Sequence, residues 1–160
     1  MLIGTEAELG VVCGIDEAGR GPLAGPVCAA AVILAEGWIP EGLDDSKKLS
    51  EKQRERLYDE ITANALSWSV AWASHAEIDE VNILQATFLA MRRALAGLEQ
   101  QPDFALVDGN RDPKLGIPTR CEVKGDGRYA CIAAASVLAK VSRDRLMLEL
   151  DGKYPGYGFR

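Results

Sequence analysis

Apolar and polar positions follow two periods along this chain. Residues 11–15 and 27–34 are β-branched apolar runs split by a Gly/Pro-rich stretch, and they predict an antiparallel strand pair with at least one buried face. Residues 42–49 are a polar loop. Ser50 and Gln53 then form a capping box, and Leu57, Tyr58, Ile61 and Ala65 keep helical spacing. Residues 66–73 alternate Leu, Trp, Val and Trp with small side chains and predict a third strand. A second capping box, Ser74 with Glu77, opens a short helix over about 75–80. Asn82 with Gln85 caps a longer helix, whose Leu84, Phe88, Met91, Leu95 and Leu98 recur at intervals of four and three. Gly97 and Pro102 end it. Two brief apolar runs follow, 104–107 and 119–123, and a last helix is predicted over 128–150. Its Ala133, Ala134 and Ala135 make it narrow enough to lie close to a sheet. The order predicts an α/β domain with one mixed sheet covered by helices.

Three of the apolar runs lead into acids. The first reaches Asp16 and Glu17, the run at 104–107 ends on Asp108, and the run at 119–123 leads through Lys124-Gly125 to Asp126. Carboxylates at the mouth of a buried strand cost desolvation unless a cation meets them. Hard divalent cations take oxygen ligands. Ligands of open α/β sheets gather at strand ends, so these four acids are expected to converge in one cleft. Two Mg²⁺ or Mn²⁺ ions would neutralise them and clamp an in-line phosphoryl displacement. Taken singly, each acid reads first as a loop or cap residue; their coincidence points to a site. The turn beside the first pair, Gly19-Arg20-Gly21, lets backbone N–H groups approach a phosphate or sugar closely. A dinucleotide loop is the rival reading of this turn, but Asp16 and Glu17 would repel a pyrophosphate and Pro22 interrupts the helix start.

Composition narrows the choice. The 160 residues make one domain by length, long enough for a core without staples. Net charge is −6, which argues against generic nucleic-acid binding but suits a carboxylate-rich metal site. The single histidine, His75, rules out two-histidine ribonuclease chemistry and reads as a surface residue at a helix start. Cys13, Cys28, Cys121 and Cys131 show no C-x-x-C pairing and are expected as buried free thiols in a reducing cytoplasm. No apolar run reaches membrane-span length, and the N-terminus has no basic region of a signal peptide.

The chain resembles the type 2 ribonucleases H, the ribonuclease HII family. The matching segments are Gly14-Ile-Asp-Glu-Ala-Gly-Arg-Gly-Pro-Leu-Ala-Gly25, Asp45-Ser-Lys-Lys-Leu-Ser50, Glu77-Ile-Asp-Glu-Val-Asn-Ile-Leu84, Val107-Asp-Gly-Asn110, Val123-Lys-Gly-Asp126 and Ala134-Ala-Ser-Val-Leu-Ala-Lys140, in family order. The resemblance implies an RNase H-like fold, a mixed five-stranded sheet flanked by helices. It implies a metal-dependent endoribonuclease with catalytic, metal-binding acids at Asp16, Glu17, Asp108 and Asp126. Its substrates would be RNA–DNA hybrids and duplex DNA with embedded ribonucleotides, incised on the 5′ side to leave a 3′-hydroxyl and a 5′-phosphate. Gly19, Arg20 and Gly21 would read the 2′-hydroxyl, the chemical mark of a ribose among deoxyriboses.

Other positions carry two readings. Ser46, Lys47 and Lys48 hold a substrate phosphate or are a solvated loop. Lys140 shares a helix face with Ser136 and contacts phosphate or forms an ion pair. Asn110 orients a water or satisfies a turn, and Trp68 and Trp72 read as strand core. The family continues past a segment like Tyr154-Pro155-Gly156-Tyr157-Gly158-Phe159 into a tail bearing a substrate-stacking tyrosine that has no counterpart here. One catalytic domain without that tail, acting as a cytoplasmic monomer, is therefore expected. A catalytically weakened nucleic-acid-binding remnant is the second reading.

Overall fold

In the computed structural model, which describes residues 2–4, 9–19 and 25–153, five strands form one mixed sheet. The strands are β1 (Val12–Ala18), β2 (Val27–Ile33), β3 (Ser67–Ala73), β4 (Phe104–Asp108) and β5 (Thr119–Glu122), in spatial order β3-β2-β1-β4-β5. β2 is antiparallel to both β1 and β3, whereas β4 is parallel to β1 and to β5. The helices are α1 (Glu51–Asn64), α2 (His75–Val81), α3 (Ile83–Ala96) and α4 (Ala130–Lys153).

Alternation along the strands sends side chains to two cores, because successive residues point to opposite faces. Val12, Cys28, Ala30 and Val32 pack with Leu57 and Ile61 of α1 and with the buried run of α4. Cys13, Ile15, Val27, Ala29, Ala31 and Ile33 pack with Ala86, Ala90, Met91, Ala94 and Leu95 of α3. The sheet is therefore buried on both faces, one more than the apolar pattern required. α4 lies so close that a β-carbon on Gly14 would overlap the Cys131 carbonyl and the Ile132 amide. Small residues on both partners permit this approach.

The capping motifs form as the sequence predicts. Ser50/Gln53 and Ser74/Glu77 each make both reciprocal bonds, and the Asn82 side chain accepts from the Gln85 amide. His75 is the exposed first residue of α2. Three expectations need correction. The last helix runs over Ala130–Lys153 rather than 128–150. Trp68 is not core: it lies exposed on the edge strand β3 and donates its indole N–H to the Thr62 carbonyl, whereas Trp72 packs against the α4-side core. All four cysteines are free, but Cys121 is only half-buried, because β5 is the other edge of the sheet.

Candidate active site

β1, β4 and β5 run parallel, so their C-terminal ends share one edge. The β1–β4 register pairs Gly14 with Leu106 and Ile15 with Val107, so the next step sets Asp16 beside Asp108. Asp16 is on the α4 face with Val12 and Gly14, and Glu17, one residue on, turns to the α3 face. Both acids lie within β1, which extends to Ala18, rather than after its end. Asp126 lies in a 3₁₀ turn, Gly125–Gly127, beyond β5. Its Gly125 and Asp126 amides donate to Asp108 Oδ1 at 2.7 and 3.4 Å. Lys124 sets up this turn in the left-handed region at φ 57°, a backbone state that costs a non-glycine residue energy.

One cavity of about 480 Å³ gathers Asp16, Glu17, Asp108 and Asp126 with Gly19, Ser46, Lys47, Arg54, Lys124, Ser136 and Lys140. Asp16, Glu17 and Asp108 each offer a ligand oxygen within 4.8 Å of the others. Asp16 is buried, and that desolvation, together with the neighbouring Glu17 and Asp108 carboxyls, holds its pKa well above the ordinary carboxylate range. Asp126 is pushed up to about 6 by desolvation, then by Asp108 and by Asp45, while Lys47 acts in the opposite direction. A crowded set of hard oxygen donors whose charges oppose one another fits a divalent cation.

Basic side chains line the same cavity. Ser46 and Lys47 belong to a 3₁₀ turn, Ser46–Lys48, capped by the Asp45 side chain on the Lys47 amide. Ser46 Oγ and Ser136 Oγ lie 2.8 Å apart and tie this turn to α4. Lys140 lines the cavity and pairs with Asp144 at 3.2 Å, the ion pair of its second reading. Lys48 is exposed and does not line the cavity. Asn110 lines a smaller hollow of about 80 Å³ on the α3 side, which Glu17 and Asp108 also reach. Arg20 and Gly21 fall outside the described residues, as does the 154–160 segment.

Sequence reasoning missed Arg54 and the side chain of Lys124 as cavity residues, and Asp45 as a neighbour of Asp126. A basic residue in the first turn of a well-capped helix, against the helix dipole, was the available signal for Arg54.

Solved structures share this architecture. The ribonuclease H2 of Pyrococcus horikoshii OT3 superposes with a TM-score of 0.81 at 32% identity, over 92% of this chain and 78% of that one. The ribonuclease HII of Archaeoglobus fulgidus, solved in a complex with PCNA, gives 0.77 at 30% identity, over 92% of this chain and 80% of that one. The fold is thus the ribonuclease H-like α/β class, with a cluster of acids at one edge of its sheet. The ribonuclease HII profile matches residues 13–160. Ribonuclease HII of Dechloromonas aromatica (strain RCB) is 62% identical over 151 residues, 94% of this chain and 77% of the relative. The chain belongs to the ribonuclease HII family and is an endoribonuclease.

Proposed function

We propose that this chain is a divalent-metal-dependent endoribonuclease that cuts the RNA strand of RNA–DNA hybrids and incises 5′ of ribonucleotides embedded in duplex DNA. The observation that carries this reading is the approach of Asp16, Glu17 and Asp108 within 4.8 Å, in a cavity that also holds Asp126 and four basic side chains. Asp16, Glu17, Asp108 and Asp126 are the residues that would hold two ions, Mn²⁺ or Mg²⁺. Bound there, the ions would supply activation of the attacking water and stabilisation of the leaving 3′ oxygen.

The remaining work falls to the basic and hydroxyl side chains of the cavity. Lys47 and Lys140 offer ammonium groups, and Ser46 a hydroxyl, to the phosphates that flank the scissile bond. Acids and cations sharing one cavity suit a substrate that arrives negative and must be held beside carboxylates. Asp108 keeps one oxygen on the Gly125 amide, which fixes its orientation and leaves the other for a ligand. We assign reading of the 2′-hydroxyl to Gly19, Arg20 and Gly21; Gly19 lines the cavity at φ +101°. Asn110 shares its hollow with Glu17 and Asp108, which suits the reading that it orients a water beside these acids. Buried free thiols suit a reducing cytoplasm. No helix among the described residues is long and apolar enough to cross a membrane.

Cleavage of three labelled duplexes tests the reading: all-DNA, DNA with one ribonucleotide, and an RNA–DNA hybrid, each with Mg²⁺, Mn²⁺ or chelator. The reading predicts metal-dependent cutting of the last two, with a 3′-hydroxyl left immediately 5′ of the ribonucleotide. Equal cutting of all-DNA contradicts it. Tight binding without cleavage would favour the remnant reading instead.

A further inference from the structure

Arg54 is the cavity residue whose role the acids do not explain. It occupies the first turn of α1, behind the Ser50 cap, where a cation opposes the helix dipole. A neutral glutamine would serve helix stability better there. Its guanidinium instead turns back under the preceding loop. Nη1 donates to the Leu49 carbonyl at 2.6 Å and to the Ser46 carbonyl at 3.3 Å, the two ends of the turn that carries Lys47. Its Nε is buried and makes no hydrogen bond. An orphaned buried donor costs stability, so the side chain is not placed for stability alone.

Besides Arg54, backbone bonds from Lys48 N–H to the Asp45 carbonyl and from Leu49 N–H to the Ser46 carbonyl hold the turn, and Leu49 is buried in the core. Ser46 Oγ meets Ser136 Oγ, and Asp45 Oδ1 accepts from the Lys47 amide, but Lys47 and Lys48 themselves are exposed. A three-residue 3₁₀ turn has weak internal hydrogen bonding. Nη1 bridges its start and the residue after its end, and so sets the direction in which Lys47 projects toward Asp126.

We propose that Arg54 is a positioning residue: it fixes the 46–49 turn so that Ser46 and Lys47 meet a substrate phosphate, without contacting that phosphate itself. The proposal rests on the reading of Lys47 as a phosphate contact.

A double-mutant cycle tests it, with KM and kcat measured on the single-ribonucleotide duplex over a range of salt. Arg54→Met keeps the aliphatic stem and removes the donors; Lys47→Ala removes the ammonium. Each single variant should raise KM about tenfold with a much smaller change in kcat, and the double variant should be no worse than Lys47→Ala, the non-additivity of two groups acting as one. The slope of log KM against log salt should fall by about one in each single variant, and by about one again, not two, in the double. A drop of two would mean that Arg54 makes its own phosphate contact and overturns the proposal. Multiplying KM effects overturn it as well, as does wild-type KM in Arg54→Met alongside a raised KM in Lys47→Ala. Wild-type KM in Lys47→Ala would remove the phosphate reading and this proposal together. Should Arg54→Met not fold, Arg54→Lys keeps the charge in a shape unsuited to bridging two carbonyls. Its KM should also rise, and a wild-type value there overturns the proposal.

Discussion

Asp16 has its carboxyl out of water and two further carboxyls beside it, and the pH response of the protein follows from that. For Asp16 and Asp126 the folded-state pKa stands above the ordinary 3.8, well above for Asp16 and at about 6 for Asp126. A raised carboxyl pKa contributes stability that is complete below the unfolded value and is lost as pH rises through the folded one. The metal-free protein should therefore melt higher as pH falls from 7 toward 5. Glu77, held down at about 2 by Arg93, acts only below its ordinary 4.5 and stays out of this window. Metal binding has the opposite sign, because ligands must lose their protons. The rise in melting temperature that Mn²⁺ produces should shrink between pH 7 and pH 5. A scanning-fluorimetry grid of pH with and without Mn²⁺ checks both trends; a constant gap would contradict the electrostatic account. The acids were legible in the sequence because a carboxylate next to a buried run is a visible anomaly. Arg54 was not, because its partners are backbone carbonyls, which no residue pattern displays.

At the scale of elements, caps carried the most information. Ser50/Gln53 and Ser74/Glu77 are local chemistry between residues three apart, so their helices began where the sequence placed them. Asp126 illustrates the converse. It was read as the end of an apolar run, but β5 stops at Glu122 and a left-handed Lys124 turns the chain before Asp126. That turn is held by Asp108, a partner 17 residues away, and such a contact leaves no periodic trace. Trp68 likewise followed the alternation of a strand, while its exposure depends on β3 being an edge. Gly14 is the contact on which α4 rests. Gly14→Ala would force a β-carbon into backbone atoms of Cys131 and Ile132, which cannot yield as a flexible side chain would. We expect a loss of about 3 kcal/mol in urea denaturation, the upper part of the usual range for overpacking. Stability equal to wild type would mean that α4 can slide away from β1 freely.

At the scale of the whole molecule, topology is what makes the site. β1 joins an antiparallel neighbour to a parallel one, so strands distant in sequence deliver their ends to the same edge. α4 packs against β1 at Gly14 and brings Ser136 and Lys140 into the cavity that holds the acids. The class of sheet was legible from the order of elements and its five strands from the family resemblance, but which acids share a cavity depends on register. Asp16 beside Asp108 follows from the β1–β4 pairing, which no single strand encodes.

The central claim is that the carboxyl cluster holds the ions that make the chain a nuclease. Asp16→Asn tests it, with calorimetric Mn²⁺ titration and cleavage of the single-ribonucleotide duplex measured on the same preparation. The variant removes one of several repelling charges, so its metal-free form should fold and melt no lower than wild type. Mn²⁺ binding should weaken sharply, and cleavage should be lost even at saturating metal. Wild-type cleavage by a folded Asp16→Asn protein would contradict the account.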